Sequence, residues 1–275
     1  MKNYKITALG RPIDISYLPN KIILQVILAS SILYYIYSKE AMLSIWGCFN
    51  LFLVWAINRE LDPDHDYAAI ISVLVYGIVF FISPINSSFL SLFWLLLILR
   101  SLNRSTGLKV LFSDYIFISI LSTLVTIQTK NPFFLFMNIF ALLWINFSRN
   151  EKNTYAGLIV NFASLFWYYF ISDCQKLVYF SYSGDIIYFL SFTTLLIFLI
   201  YVSLEKPPIS LEDVGKVVIN HKFLINAQIF FIIYTTYIIH TEFLKNQSFL
   251  LATIMFGSII HMAYRKINSL NKIEE

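Results

Sequence analysis

Ten apolar runs, each bounded by charged residues or by Pro, Gly and Asn, divide the chain near 21–37, 42–57, 67–83, 87–99, 112–128, 132–147, 155–172, 185–203, 223–240 and 247–264. Segments of this kind fit the hydrocarbon core of a bilayer, where a helix satisfies its own backbone hydrogen bonds without water. The expected fold is all-α: a polytopic transmembrane helical bundle of about ten spans. Residues 1–275 then form a single integral membrane domain, with a short N-terminal segment at 1–20 and a short tail at 265–275. The run at 87–99 is the shortest. A core of about 30 Å takes about 20 helical residues, so this run must borrow length from its flanks, thin the bilayer or re-enter. Composition agrees, because 58% of residues are hydrophobic and 13% charged, against roughly 25% charged in a soluble domain.

Orientation follows from the basic residues. On alternate sides of this topology, 16 of the 20 Lys and Arg fall on one face, while Lys39, Lys130, Lys176 and Lys245 fall on the other. That asymmetry across short loops places both termini in the cytoplasm. The same scatter leaves no basic stripe for nucleic acid, despite a net charge of +4. Cys48 and Cys174 are too few for a disulfide framework and read as small buried residues. The polar segment at 203–222 is long enough for a short interfacial helix. Within the spans, Asn50, Asn138, Asn161, Asn226 and Gln228 fit interhelical hydrogen bonds. His240 and Glu242 are the main polar feature of the outer face.

Two loops carry most of the chemistry. Asn58-Arg59-Glu60-Leu61-Asp62-Pro63-Asp64-His65-Asp66 places four carboxylates at the cytoplasmic surface. Such oxygens suit Mg²⁺, which binds through one or two carboxylates and the phosphates of its substrate. In this reading Asp62 and Asp66 hold the metal, and Glu60, Asp62, Asp64 and Asp66 supply metal or general-base oxygens. Asn58 and Arg59 face the substrate. A competing reading makes Asp62 the N-cap and Pro63 the first residue of the third helix, and a third makes the segment an ion-pair latch. The second loop, Arg100-Ser101-Leu102-Asn103-Arg104-Ser105-Thr106-Gly107-Leu108-Lys109, offers donors to an anion, with Asp114 close behind. Arg100, Asn103, Arg104 and Asp114 are its candidate substrate-binding residues, and Gly107 allows close backbone approach. An acidic and a basic loop on one face together suit phosphoryl or diphosphate chemistry. Arg149 and Asn150, Glu205 and Lys206, Glu212 and Asp213, and His261 with Arg265 share that face.

Asn58, Asp62 and Asp66 are similar in spacing to the first Asp-rich motif of the UbiA family of intramembrane prenyltransferases. That family places the motif in a cytoplasmic loop after the second span, and the resemblance implies a bound Mg²⁺ and a prenyl diphosphate there. It covers three residues of one loop. Arg59 stands where the family has Asp, and the downstream Arg-Pro is absent. Arg149-Asn150-Glu151-Lys152-Asn153 occupies the place of a second Asp-rich motif, and ten runs stand against nine spans.

Three function classes fit. The first is a membrane enzyme acting with Mg²⁺ on a lipid or isoprenoid phosphate or diphosphate from the cytoplasmic side, with membrane lipids as its partners. The second is a transporter or channel for a small solute that uses the same loops as a cytoplasmic gate, and the third is a structural or assembly subunit. No nucleophile elbow, His-Glu-x-x-His or Gly-x-Gly-x-x-Gly pattern supports a hydrolase or a nucleotide cofactor. The orientation is directly testable. Single cysteines introduced in 58–66 and 100–111 should resist an impermeant thiol reagent applied to intact cells and react after permeabilisation; labelling from outside would invert the topology.

Overall fold

A computed structural model of the chain describes residues 7–11, 14–82, 89–170, 186–214, 217–241 and 245–274. Among these, ten α-helices follow one another. They are α1 (Leu18–Ser38), α2 (Ala41–Leu61), α3 (Asp66–Ile82), α4 (Phe89–Asn103), α5 (Phe112–Thr129), α6 (Phe133–Arg149), α7 (Thr154–Phe170), α8 (Ile186–Leu204), α9 (His221–Ile239) and α10 (Lys245–Glu274). Each helix covers one of the ten apolar runs. Six are long and apolar enough to cross a membrane: α1, α2, α5, α8, α9 and the Gln247–Asn268 part of α10. This is what an integral membrane protein requires. The 15-residue α4 spans about 22 Å at 1.5 Å per residue and is shorter than a bilayer core. Side chains such as Ile78, Phe147, Ile159 and Phe170 are 62–83% exposed, and apolar surface on this scale suits lipid rather than water.

The segment after α8 departs from the sequence reading. In place of an interfacial helix, Leu211 and Val218 form an antiparallel bridge, with Glu212 N–H donating to Val217 O at 2.7 Å and Ile219 N–H to Ser210 O at 2.9 Å. The pattern Ile209, Leu211, Val217 and Val218 amid polar residues alternates too briefly for a helical face. Cys48 is half-buried. Cys174 and Glu242 lie outside the described residues.

The chain forms two compact units. One comprises residues 1–11, 90–179 and 209–230; the other comprises 12–89, 180–208 and 231–275. In the first unit α5, α6 and α7 pack against one another around a buried polar knot. Asn161 Nδ2 donates to Ser119 Oγ at 2.7 Å and to Gly157 O at 2.8 Å, while its Oδ1 accepts from Ser122 Oγ at 3.0 Å. Asn138 Nδ2 reaches the same Ser119 Oγ at 3.2 Å. Asn138 and Asn161 thus make the interhelical hydrogen bonds that their positions suggest. Many hydroxyls also bond back to the carbonyl four residues earlier, as Ser31, Ser44, Thr129 and Ser119 itself do.

In the second unit α10 packs on α2, α3 and α8, and α2 on α1 and α3. Gly257 makes the α10–α3 approach possible, because a Cβ there would overlap Ser72 and the Ala68 carbonyl. Small residues at such crossings let helices associate by close packing where lipid offers no hydrophobic drive.

Asn161→Ala should cost about 1–2 kcal/mol in detergent unfolding, since interhelical hydrogen bonds in membranes average about 0.6 kcal/mol each. The exposed Ile159→Ala should cost almost nothing. Equal effects at the two sites would contradict the knot.

Candidate functional site

Within the second unit, one end of the α2, α3, α8 and α10 packing collects ionisable side chains. α2 ends at Leu61, and Asp62 is its C-cap, with φ −139°, ψ 72° and its N–H donating to Asn58 O at 2.8 Å. α3 begins at Asp66. Asp62 is therefore not the N-cap of α3: the Asp-Pro pair turns the chain between two helices. A carboxylate at a helix C-terminus faces the negative end of the helix dipole. Asp62 is also fully buried, and a charge so placed requires compensation.

His65 provides part of it. Its Nδ1 lies 2.6 Å from Asp62 Oδ1, three residues away across the turn. Burial works against the protonated imidazole, but the hydrogen bond and charge of Asp62, helped by Glu205, outweigh it and hold His65 above its ordinary 6.5. Glu205, one residue past α8, closes the group: Asp62, His65 and Glu205 each offer a ligand atom, all within 4.8 Å of one another. Tyr201, one turn earlier on α8, donates to Glu205 Oε1 at 3.0 Å and stands beside Asp62. A phenol has one proton to give, and Asp62 Oδ2 is buried without a hydrogen-bond partner. From α10, the His261 ring lies 4.7 Å from that of His65, and Arg265 Nη1 meets His65 Nε2.

The remaining acidic-loop residues have other surroundings. Asp66 pairs with Arg59 and accepts from the Tyr17 hydroxyl. Glu60 is fully buried in the last turn of α2, and Asp64 is half-buried in the turn. Asn58 lies one turn before Asp62, and its Nδ2 is within reach of Ser72 Oγ (3.0 Å), Ile254 O (2.8 Å) and Ser258 Oγ (3.1 Å). It ties α2 to α3 and α10.

The basic loop belongs to the first unit, where its residues bind backbone. Arg100 Nη1 donates to Leu9 O at 3.1 Å, and Arg104 Nε to Leu108 O at 3.2 Å. Asp114 accepts from Thr7 Oγ1 (2.6 Å), Ala8 N–H (2.9 Å) and Leu111 N–H (3.1 Å), which fastens the N-terminal segment to the start of α5. Arg149 donates to the Ser101 and Leu102 carbonyls at the end of α4 and lies 3.9 Å from the Phe223 ring centre. A cation there complements the helix C-terminus. Asn103 is buried. Gly107, at φ 72°, lets residues 212–214 approach: Asp213 N–H reaches Ser105 O at 3.3 Å and Val214 N–H reaches Thr106 O at 3.2 Å. The close approach expected at Gly107 is therefore made by the chain's own backbone.

Sequence reasoning placed Glu205, His261 and Arg265 on the face of the acidic loop without joining them to Asp62. Tyr201 carried no signal among 18 tyrosines. His240 Nδ1, near the end of α9, lies 3.4 Å from the Tyr188 hydroxyl. Gly107→Ala should destabilise the protein by about 1 kcal/mol or more, because a Cβ adds left-handed strain and meets the Val214 carbonyl and Glu212. Unchanged thermal unfolding in detergent would contradict this packing.

No protein-family model matches the chain, and no match is found among curated proteins or solved structures. The site stands on its own chemistry.

Proposed function

We propose that the chain is a membrane-embedded enzyme that acts on a lipid-borne phosphate or diphosphate, isoprenoid phosphates included, from the cytoplasmic face. The observation that carries this reading is the gathering of Asp62, His65, Tyr201, Glu205, His261 and Arg265 at one end of four apolar helices. Buried ionisable groups such as Asp62 are expensive among membrane-spanning helices and cluster where a substrate or ion is handled. In a ten-span, alternating topology the end of α2, the start of α3 and the ends of α8 and α10 share one side, and the basic-residue asymmetry makes that side cytoplasmic. Carboxylates with a bound cation, together with the Arg265 guanidinium, neutralise charge that builds on a departing phosphate. Membrane lipids supply the substrate, which reaches such a site from within the bilayer.

A specific contrast favours catalysis over conduction. Ser119, Ser122, Asn138 and Asn161 of α5–α7 hydrogen-bond to one another, as packing contacts do.

The test is made on the purified full-length chain in nanodiscs, with thermal stabilisation by a prenyl diphosphate, a prenyl phosphate and phosphatidate compared with a neutral lipid. A phosphorylated lipid should stabilise the protein, and Arg265→Gln should weaken its binding by about tenfold, or about 1.4 kcal/mol. Diphosphate or phosphate release should follow and be lost in Asp62→Asn. No stabilisation by any of the three lipids would overturn the proposal.

A further inference from the structure

We infer that Asp62, His65 and Glu205 form a binding site for a divalent first-row transition ion, Mn²⁺ or Zn²⁺, in preference to Mg²⁺. The inference rests on the cluster used for the enzymatic reading and names the cation that the cluster selects. Donor chemistry is its first support. Mg²⁺ favours all-oxygen, octahedral and largely hydrated sites, whereas an imidazole nitrogen beside two carboxylates suits Zn²⁺, Mn²⁺ and their neighbours. Oxygen and nitrogen ligands at about 2.0–2.2 Å from a metal lie about 3–4 Å apart. The three donor atoms already lie within 4.8 Å of one another, so side-chain adjustments of an ångström or less close the site.

The second support is independent of donor type. Asp62 Oδ2 is fully buried and has no hydrogen-bond partner, at a helix C-terminus that disfavours negative charge. His65 donates from Nδ1 to Asp62 and accepts from Arg265 at Nε2, so its imidazole is neutral and leaves a negative surplus at Asp62. Arg265 meets the ring of His65 and not the carboxylates, so it does not cancel that surplus at Asp62. A divalent ion between the three side chains would take up Oδ2 and the surplus together.

The scaffold is also pre-set. Asp62 and His65 sit three residues apart on a turn stiffened by Pro63, with His65 N–H directed at Asp62 O at 3.4 Å. Tyr201 orients Glu205 through its Oε1, as partners behind metal ligands do. Loading has a local consequence. The single imidazole proton moves from Nδ1 to Nε2, so that Nδ1 can face the ion and Nε2 no longer accepts from Arg265. Arg265 is exposed and swings away, which frees its guanidinium for a phosphate.

The experiment is Mn²⁺ titration of the tag-free, EDTA-stripped full chain in detergent, followed by the free-ion EPR signal and by competition with Zn²⁺ and Mg²⁺. One Mn²⁺ per chain is expected, displaced by Zn²⁺ at a concentration at least about tenfold below that of Mg²⁺. His65→Gln and Glu205→Gln should each weaken binding at least about tenfold. Asp66→Asn, which removes a partner of Arg59, should change it by less than about threefold. Absence of stoichiometric binding, competition by Mg²⁺ equal to that by Zn²⁺, or indifference to His65→Gln would overturn the inference. The wild-type competition decides the matter even if a variant misfolds. Mn²⁺ binding without stabilisation by phosphorylated lipids would sink the enzymatic reading and leave the metal site standing. Lipid-phosphate binding without the metal would do the reverse.

Discussion

A carboxylate buried at the C-terminus of an apolar helix is the constraint on which this end of the second unit depends. Removing an ion from water costs several kcal/mol after relaxation, and the dipole of α2 adds to the cost for Asp62. Neighbours answer that charge in order of proximity. His65 comes back across the Asp-Pro turn to Asp62 Oδ1, and Tyr201 and Glu205 arrive together from the end of α8. His261 and Arg265 reach His65 from α10. Without Asp62 there is little reason for so many polar side chains to converge on helices that are otherwise apolar.

Polar groups in the first unit serve the packing of the fold. Asn161, Asn138, Ser119 and Ser122 form a hydrogen-bonded set between helices. Arg149 caps α4, and Asp114 accepts two hydrogen bonds that fix the N-terminal segment and a third from Leu111 at the start of α5. Most polar atoms of these groups have partners in the fold, although Asn138 Oδ1 and Arg149 Nε are buried without one, and removal of the groups is expressed as stability. At Asp62 a buried oxygen without a partner coincides with a histidine and a second carboxylate within ligand distance, a setting in which an ion or ligand accounts for such an atom.

Helices were legible because apolarity over a bilayer's thickness is a strong, local signal, and all ten runs became helices. Boundaries at the functional end were not. Asp62-Pro63 reads as a helix start from local propensity alone, but α2 continues to Leu61 and α3 waits until Asp66, because Asn58 is held by Ser72, Ile254 and Ser258 and draws the last turn of α2 into the packing. The site was half-legible for the same reason. Asp62 stood out by charge, and parity put Glu205, His261 and Arg265 on its side. Which carboxylate meets which partner is a tertiary matter, however: Asp66 went to Arg59 and Tyr17. The basic loop looked like an anion cradle because Arg, Asn, Ser and Gly also serve to close helix ends on backbone carbonyls.

The central claim is that a histidine nitrogen and two carboxylates converge on one point, and pulsed EPR of bound Mn²⁺ tests it most directly. Electron spin-echo modulation from a coordinated imidazole nitrogen should be present in the wild-type protein and disappear in His65→Gln. Bound Mn²⁺ that shows no nitrogen coupling, or coupling that survives His65→Gln, would contradict the account.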